Sequence, residues 1–259
     1  MEHFNPLQSF AGLLVGILVG MTGVGGGSLM TPLLVLLFGF HPATAVGTDL
    51  LYAAITKSVG SAVHGWRETV DWKIVRRLAS GSVPTAAATL IGLHLIGTPS
   101  DATSKLILPI LGSMLIITAV AVLFREKLVS RARPWTDAHH MTGRIWPTVL
   151  LGAVLGFLVS ISSVGAGAVG VTVLLVLYPL LPTARIVGSD IAHAVPLTLV
   201  AGAGHWFLGN VDTVLLVSLL AGSIPGVILG SYFGSGASDK VLRPLMACVL
   251  LIVGGKLLL

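Results

Sequence analysis

Two short stretches, GVGGGSLMTP at residues 24–33 and SVGAGAVGVT at residues 163–172, decide how this chain is read. Each lies inside a long apolar run and places glycines where a membrane-crossing helix would otherwise continue. Three consecutive glycines, Gly25-Gly26-Gly27, loosen or end a helix because glycine gives up the most backbone freedom on ordering. In lipid an opened backbone is tolerated only where it faces protein or a watery cavity. Close helix packing, which small residues also serve, is the competing use of such glycines. The repetition of consecutive clusters favours a functional break.

The surrounding composition is that of an integral membrane protein. Of 259 residues, 54% are hydrophobic and 10% charged, with a mean hydropathy of +0.97, whereas a soluble domain carries about a quarter charged residues. Apolar runs approaching the ~20 residues that span a bilayer recur along the whole chain. The alternation of a membrane barrel is absent, which leaves a helical bundle as the way to satisfy the backbone in lipid. The single cysteine, Cys248, excludes an internal disulfide and a cysteine-rich metal site. No Lys or Arg precedes the first apolar run, so the N-terminus is expected to be retained rather than cleaved as a signal peptide.

The spacing predicts a first apolar region over 7–38 broken at Gly23–Gly27, then helices over 43–66, 78–97 and 104–124. A basic loop follows over 125–144. The second half is expected to repeat the plan, with a broken region over 145–180 and helices over 184–207, 212–234 and 239–259. One register supports a duplication: Gly47-Thr48-Asp49 matches Gly188-Ser189-Asp190, His64 matches His205, Val70-Asp71 matches Val211-Asp212, and Gly81-Ser82-Val83-Pro84 matches Gly222-Ser223-Ile224-Pro225. The expected organisation is one transport domain over 1–259, with a first repeat over 7–124, a cytoplasmic basic loop over 125–144 and a second repeat over 145–259.

Positive charge sets the orientation and argues against a nucleic-acid partner, although the net charge is +5. If each broken region returns to the side it started from, the halves are inverted. Then Arg67, Lys73, Arg76, Arg77, Arg125, Lys127, Arg131, Arg133, Arg144, Arg185, Lys240 and Arg243 share the cytoplasmic side, with Lys105 and Lys256 opposite. A single crossing at each break makes the halves parallel and separates the charges less well. The fold expected is therefore an all-α polytopic bundle of two inverted repeats, each opening with a Gly-broken helix pair compatible with a re-entrant hairpin.

A helix restarting after each break, at about Ser28 and Ala168, exposes unpaired amides and the positive end of a helix dipole, which suit an anion. Two such ends near the bilayer midplane are a pattern found in secondary transporters. Lys57, mid-helix, is the candidate cation; Asp49 stands eight residues earlier, about 12 Å along the helix axis and out of direct reach on that helix. Asp49 and Asp190 could relay protons or fix the glycine breaks through hydrogen bonds. Thr48 and Ser189 offer hydroxyls, with bonding back to their own helix as the alternative. His193 lies deeper than His64 and His205, which are expected to anchor at the interface beside Trp66 and Trp206. No metal-ligand spacing, hydrolase elbow or Walker sequence is present, so neither a cofactor nor ATP drive is expected, and an intramembrane enzyme is disfavoured.

Residues 20–65, GMTGVGGGSLMTPLLVLLFGFHPATAVGTDLLYAAITKSVGSAVHG, closely resemble the opening signature of the TauE/SafE sulfite-exporter family, also described as toluene-sulfonate uptake permeases. SVGAGAVGV, ARIVGSDIAHAVPLTLVAGAGH and the Gly-Ser-Ile-Pro-Gly segment at 222–226 are similar to that family's repeated half. The resemblance implies a multi-pass carrier in the cytoplasmic membrane for sulfur-containing anions such as sulfite, sulfonates or sulfoacetate. Its first motif falls on Gly23, Gly25, Gly26, Gly27, Ser28, Thr48, Asp49 and Lys57, and the echo on Ser163, Gly165, Gly167, Ser189 and Asp190. Ala166 stands opposite Gly26 and Thr198 opposite Lys57, so a charged contact to substrate is expected from one half only.

Overall fold

The computed structural model describes residues 6–22, 27–66, 68–96, 101–132, 144–233 and 239–259, and the described residues form ten helices. They are α1 (Pro6–Thr22), α2 (Gly27–Leu36), α3 (Pro42–Trp66), α4 (Trp72–Ile96), α5 (Asp101–Ala132), α6 (Ile145–Ser162), α7 (Ala168–Leu177), α8 (Thr183–Phe207), α9 (Thr213–Phe233) and α10 (Asp239–Leu258). Five segments, Trp72–Ile96, Ile107–Ser130, Ile145–Ser162, Thr183–Phe207 and Thr213–Gly230, are long and apolar enough to cross a membrane. The bundle's outer surface is apolar: Leu95, Trp146, Phe207 and Ile252 are all strongly exposed, as a lipid-facing surface requires. α3 falls outside that set because Thr48, Asp49, Thr56, Lys57 and Ser58 lower its hydropathy. Much of its polar content is buried at the centre.

Two expected boundaries move, each for a local reason. α4 starts at Trp72, not 78: the Asp71 carboxylate accepts the amides of Lys73 (3.0 Å) and Ile74 (3.4 Å), the cap that a helix start needs. Ile74, Val75 and Leu78 then face inward, while Lys73 and Arg76 stay exposed. α5 runs on to Ala132, so Arg125, Lys127 and Arg131 extend a helix into the region expected as loop. Glu, Lys, Leu, Arg and Ala are good helix formers, and nothing in REKLVSRA stops the helix.

Small residues bring the helices together. A Cβ on Gly222 would lie 1.7 Å from the Ser9 carbonyl oxygen, and one on Gly81 2.0 Å from that of Val149. These are backbone-to-backbone approaches that only glycine permits. Helix directions follow from the order of contacts. Gly12 and Gly16 of α1 meet Leu219 and Ser223 of α9, and Gly152 and Gly156 of α6 meet Leu78 and Ser82 of α4, so both pairs are parallel. Ser82 and Leu90 of α4 meet His193 and Gly204 of α8, which adds α8 to the second group. Gly47, Leu51 and Gly60 of α3 meet Asn210, Gly202 and Ile191 in turn, so α3 opposes α8.

The contacts are also reciprocal between halves. Gly47 packs on the Asn210 carbonyl and Gly188 on the Thr69 carbonyl, an exchange of equivalent positions. Likewise the Thr48 hydroxyl accepts the Asp212 amide at 3.0 Å, and the Ser189 hydroxyl accepts the Asp71 amide at 2.8 Å. Each hydroxyl thus supports the start of a helix in the opposite half, at a residue that itself caps that helix.

Candidate functional site

The second break is described at every residue. α6 ends in Ser163 at φ 57, whose amide closes on the Val159 carbonyl at 2.8 Å. Gly165 and Gly167 follow at φ 122 and 118, conformations that side-chain-bearing residues avoid, and α7 begins at Ala168. Here the glycines are required by backbone geometry. α6 has 18 residues, about 27 Å, and is by length and composition able to cross, whereas α7 has 10, about 15 Å, and is not. The expected Gly-broken helix pair is therefore one long helix and one short one. Because α6 and α8 run in the same direction, α7 carries the chain back between them.

Of the first break, Gly23, Gly25 and Gly26 lie outside the described residues. Gly27 opens α2, and Ser28 follows it in the helix, its side chain also outside the described part. α2 has 10 residues, matching α7.

Both short helices face a carboxylate from the long helix that follows. Asp49, fully buried on α3, accepts the Thr31 hydroxyl of α2 at 2.5 Å. The Thr31 amide and the Ser163 hydroxyl also face it. Ser163 belongs to the other half's break, so Asp49 brings the first short helix and the second break to one centre. Asp190, buried on α8, is faced by the Gly167 amide, and its Oδ1 lies 2.4 Å from where a Cβ on Gly170 would stand. Glycine at 170 makes room for that carboxylate over the first turn of α7.

Lys57 sits between these carboxylates. It is 7% exposed, interacts electrostatically with Asp190 and then with Asp49, and makes no hydrogen bond among the described residues. Its principal partner is across the interface between halves, as the 12 Å separation along α3 requires. His193 completes the centre: its Nε2 pairs with the Ser82 hydroxyl at 2.8 Å, and it faces Lys57. Asp49 Oδ1, Asp190 Oδ1, Ser163 Oγ and His193 Nδ1 are buried and form no hydrogen bond among the described residues. Such a concentration of unsatisfied polar atoms is uncommon and is a recognised mark of a working site.

The hydroxyls of Thr48 and Ser189 are committed elsewhere. Besides accepting the amides that start α9 and α4, Ser189 donates to the Arg185 carbonyl at 2.7 Å. His205 is not an interface anchor: it is fully buried, and its Nε2 pairs with the Ser160 carbonyl at 2.8 Å. Gly47 is the reason, since its missing side chain leaves room for the His205 Cβ inside the α3–α8 contact. Trp66 and Trp206 are exposed beside these helix ends, as interfacial aromatics would be. The His64 side chain lies outside the described residues.

Two residues that sequence reasoning did not single out belong to the centre. Thr31 was legible as the one hydroxyl in the apolar run from Leu29 to Leu36 of the short helix. Ser82 was legible through the repeated Gly-Ser-x-Pro motif, because its counterpart Ser223 faces Tyr52, the counterpart of His193.

The family model for Sulfite exporter TauE/SafE matches residues 9–257. The chain belongs to the TauE/SafE sulfite exporter family. It is 40% identical over 249 residues to "Probable membrane transporter protein YjnA" of Bacillus subtilis (strain 168), covering 95% of this chain and 97% of the relative. "Probable membrane transporter protein YdhB" of the same organism is 29% identical, covering 89% and 90%. "Probable membrane transporter protein MJ0441" of Methanocaldococcus jannaschii is 24% identical, covering 98% and 95%. No solved structure gives a significant match. Family membership and the apolar helices together make this a multi-pass membrane transport protein.

Proposed function

We propose that this TauE/SafE member is a secondary transporter, not an enzyme, that carries a small sulfur-containing anion across the cytoplasmic membrane by alternating access. Sulfite, organosulfonates and sulfoacetate are the candidate solutes. The observation that carries the reading is Asp49 hydrogen-bonded to the first short helix, through Thr31, and faced by Ser163 of the second break. The first turn of α2, through Thr31 just beyond it, and the start of α7 thereby lie beside one buried centre whose one cation among the described residues is Lys57. Amides at a helix start, hydroxyls and one ammonium replace the water around a small oxyanion.

We further read the halves, 7–124 and 145–259, as inverted copies that rock about that centre. The opposed directions of α3 and α8 and the reciprocal contacts of Thr48 and Ser189 support this. An anion carried alone out of a negative-inside cell gains about 2.3 kcal/mol per charge per 100 mV, whereas an anion accompanied by one proton per charge crosses without net charge and draws on the solute and proton gradients instead.

Counterflow in proteoliposomes tests the reading. Labelled sulfite or an organosulfonate inside should exchange faster when the same solute is outside. Flux indifferent to solute on the opposite side would make the protein a channel. Absence of flux and binding for sulfite, sulfate, sulfoacetate, taurine and thiosulfate alike would remove the anion reading.

A further inference from the structure

The helix starts that the proposed function assigns to a substrate anion already face anions of the protein's own. Asp49 is held by Thr31 on α2, and Asp190 lies over the first turn of α7 against the Gly167 amide. We propose that Asp49 and Asp190 are displaceable internal anions, so that each substrate charge entering the centre is accompanied by one proton taken up on a carboxylate oxygen. This rests on the anion-site reading and adds the coupling ion to it.

The charge count around the centre gives the reason. The groups facing the carboxylates are Lys57 on α3, Thr31 on α2, Ser163 at the break, and Tyr52, which faces Asp49 from its own helix, while His193 on α8 faces Lys57. Lys57 is the one cation among them. With Lys57 and both carboxylates ionised the set carries a net negative charge, and a bound monoanion would add another in a site shielded from water. Two like charges cannot be held together at such a place, and one proton per incoming charge restores the count.

The geometry gives the proton a place and a purpose. Asp49 Oδ1 and Asp190 Oδ1 are buried and form no hydrogen bond among the described residues, so a proton on either displaces none of the bonds described above. A protonated carboxyl releases its claim on the Gly167 amide, or keeps the Thr31 hydroxyl while donating its own O–H to the guest. An amide at the helix start then turns from the carboxylate to the substrate oxygen. The proton comes from the aqueous phase to which the site is open and leaves with the anion on the other side. No covalent bond of the substrate changes. Competition between carboxylate and substrate for the same donors makes the two events one, which is what coupling requires.

Binding of methanesulfonate and 2-hydroxyethanesulfonate, monoanions that take up no proton near neutral pH, separates the possibilities. Purified protein is mixed with each in weakly buffered detergent solution containing a pH indicator, and affinity is measured in parallel by calorimetry. About one proton should be taken up per anion bound, and Kd should rise about tenfold per pH unit on the alkaline side. The Asp49→Asn/Asp190→Asn double variant should bind without proton uptake and with a pH-independent Kd, while either single variant keeps the uptake on its remaining carboxylate. Binding by wild type with no proton uptake overturns the proposal and leaves the anion site standing. If neither compound binds, the same uptake measurement is made with sulfate and thiosulfate, which likewise take up no proton near neutral pH, and failure of these as well overturns the anion site and the proposal with it. Because the wild-type measurement decides, poor folding of the double variant does not protect the idea.

Discussion

The two halves are alike where they hold each other and different where they meet the centre. Gly47 and Gly188, Thr48 and Ser189, Asp71 and Asp212 make the same contacts in exchange, down to the same atoms. At the centre the first half has Lys57 and Tyr52 where the second has Thr198 and His193. Thr198 is buried and donates to the Ala194 carbonyl at 2.7 Å, which occupies its hydroxyl within its own helix. The scaffold has thus kept its symmetry while the polar chemistry has become one-sided. The proposed carrier of one small solute would account for that division: its two halves would move around the solute equally, but only one cation would be needed to hold it.

Breaking the asymmetry should give the largest effect. Lys57→Ala leaves Asp49 and Asp190 without their shared counter-charge, and transport in proteoliposomes should fall by about 100-fold, the scale on which removing one partner of a buried charge set acts. Thr198→Ala, at the matching place, should change the rate by no more than about twofold, since its hydroxyl serves its own backbone. Equal losses at the two positions, with protein yield and thermal unfolding unchanged in both, would show that the centre is symmetric after all and that Lys57 has no special part.

Breaking the symmetry of the scaffold should act on stability instead. Gly81→Ala and Gly222→Ala each force a methyl group against a carbonyl of the neighbouring helix, at Val149 and Ser9. Overpacking of this kind costs about 1–3 kcal/mol, so both variants should unfold at clearly lower temperature in detergent, and by similar amounts. Gly255→Ala, which meets nothing within 4 Å, should be neutral or slightly stabilising. A large difference between Gly81 and Gly222 would mean that the two helix pairs do not carry equal load.

Most of this fold was legible in the sequence because its decisive signals are local. Gly165 and Gly167 announce a break through their φ requirements, and the shared register of Gly-Thr-Asp with Gly-Ser-Asp marks the positions whose hydroxyls make reciprocal contacts. Asp49, Asp190 and Lys57 could be chosen because charge is rare at such depth. The contacts could not be read. Nothing in the spacing says that Ser189 lies under Asp71, that His205 turns inward to Ser160, or that Asp190 fills the room left by Gly170. Those depend on which helices become neighbours. That depends on which faces can approach closely, a property of both partners at once. The extension of α4 back to Trp72 was missed for a simpler reason: the basic residues of that turn look like a loop unless Asp71 is seen as its cap.

The smallest expected effects fall on Thr48 and Ser189, and they sharpen the comparison most. Both hydroxyls suited an anion by position, yet each accepts the amide just before a helix of the opposite half. Thr48→Val and Ser189→Ala each leave that amide without its partner, at a cost of about 0.5–2 kcal/mol, the range for a lost cap or buried hydrogen bond. Unfolding temperature should drop modestly and comparably in the two variants, while methanesulfonate affinity per folded molecule stays within about twofold of wild type. The double variant should show additive losses, because the two bonds lie in separate contacts and share no partner. Weaker anion binding with unchanged stability would return these hydroxyls to the site. It would also mean that the contacts between halves loosen during transport, with the hydroxyls alternating between the helix starts and the solute.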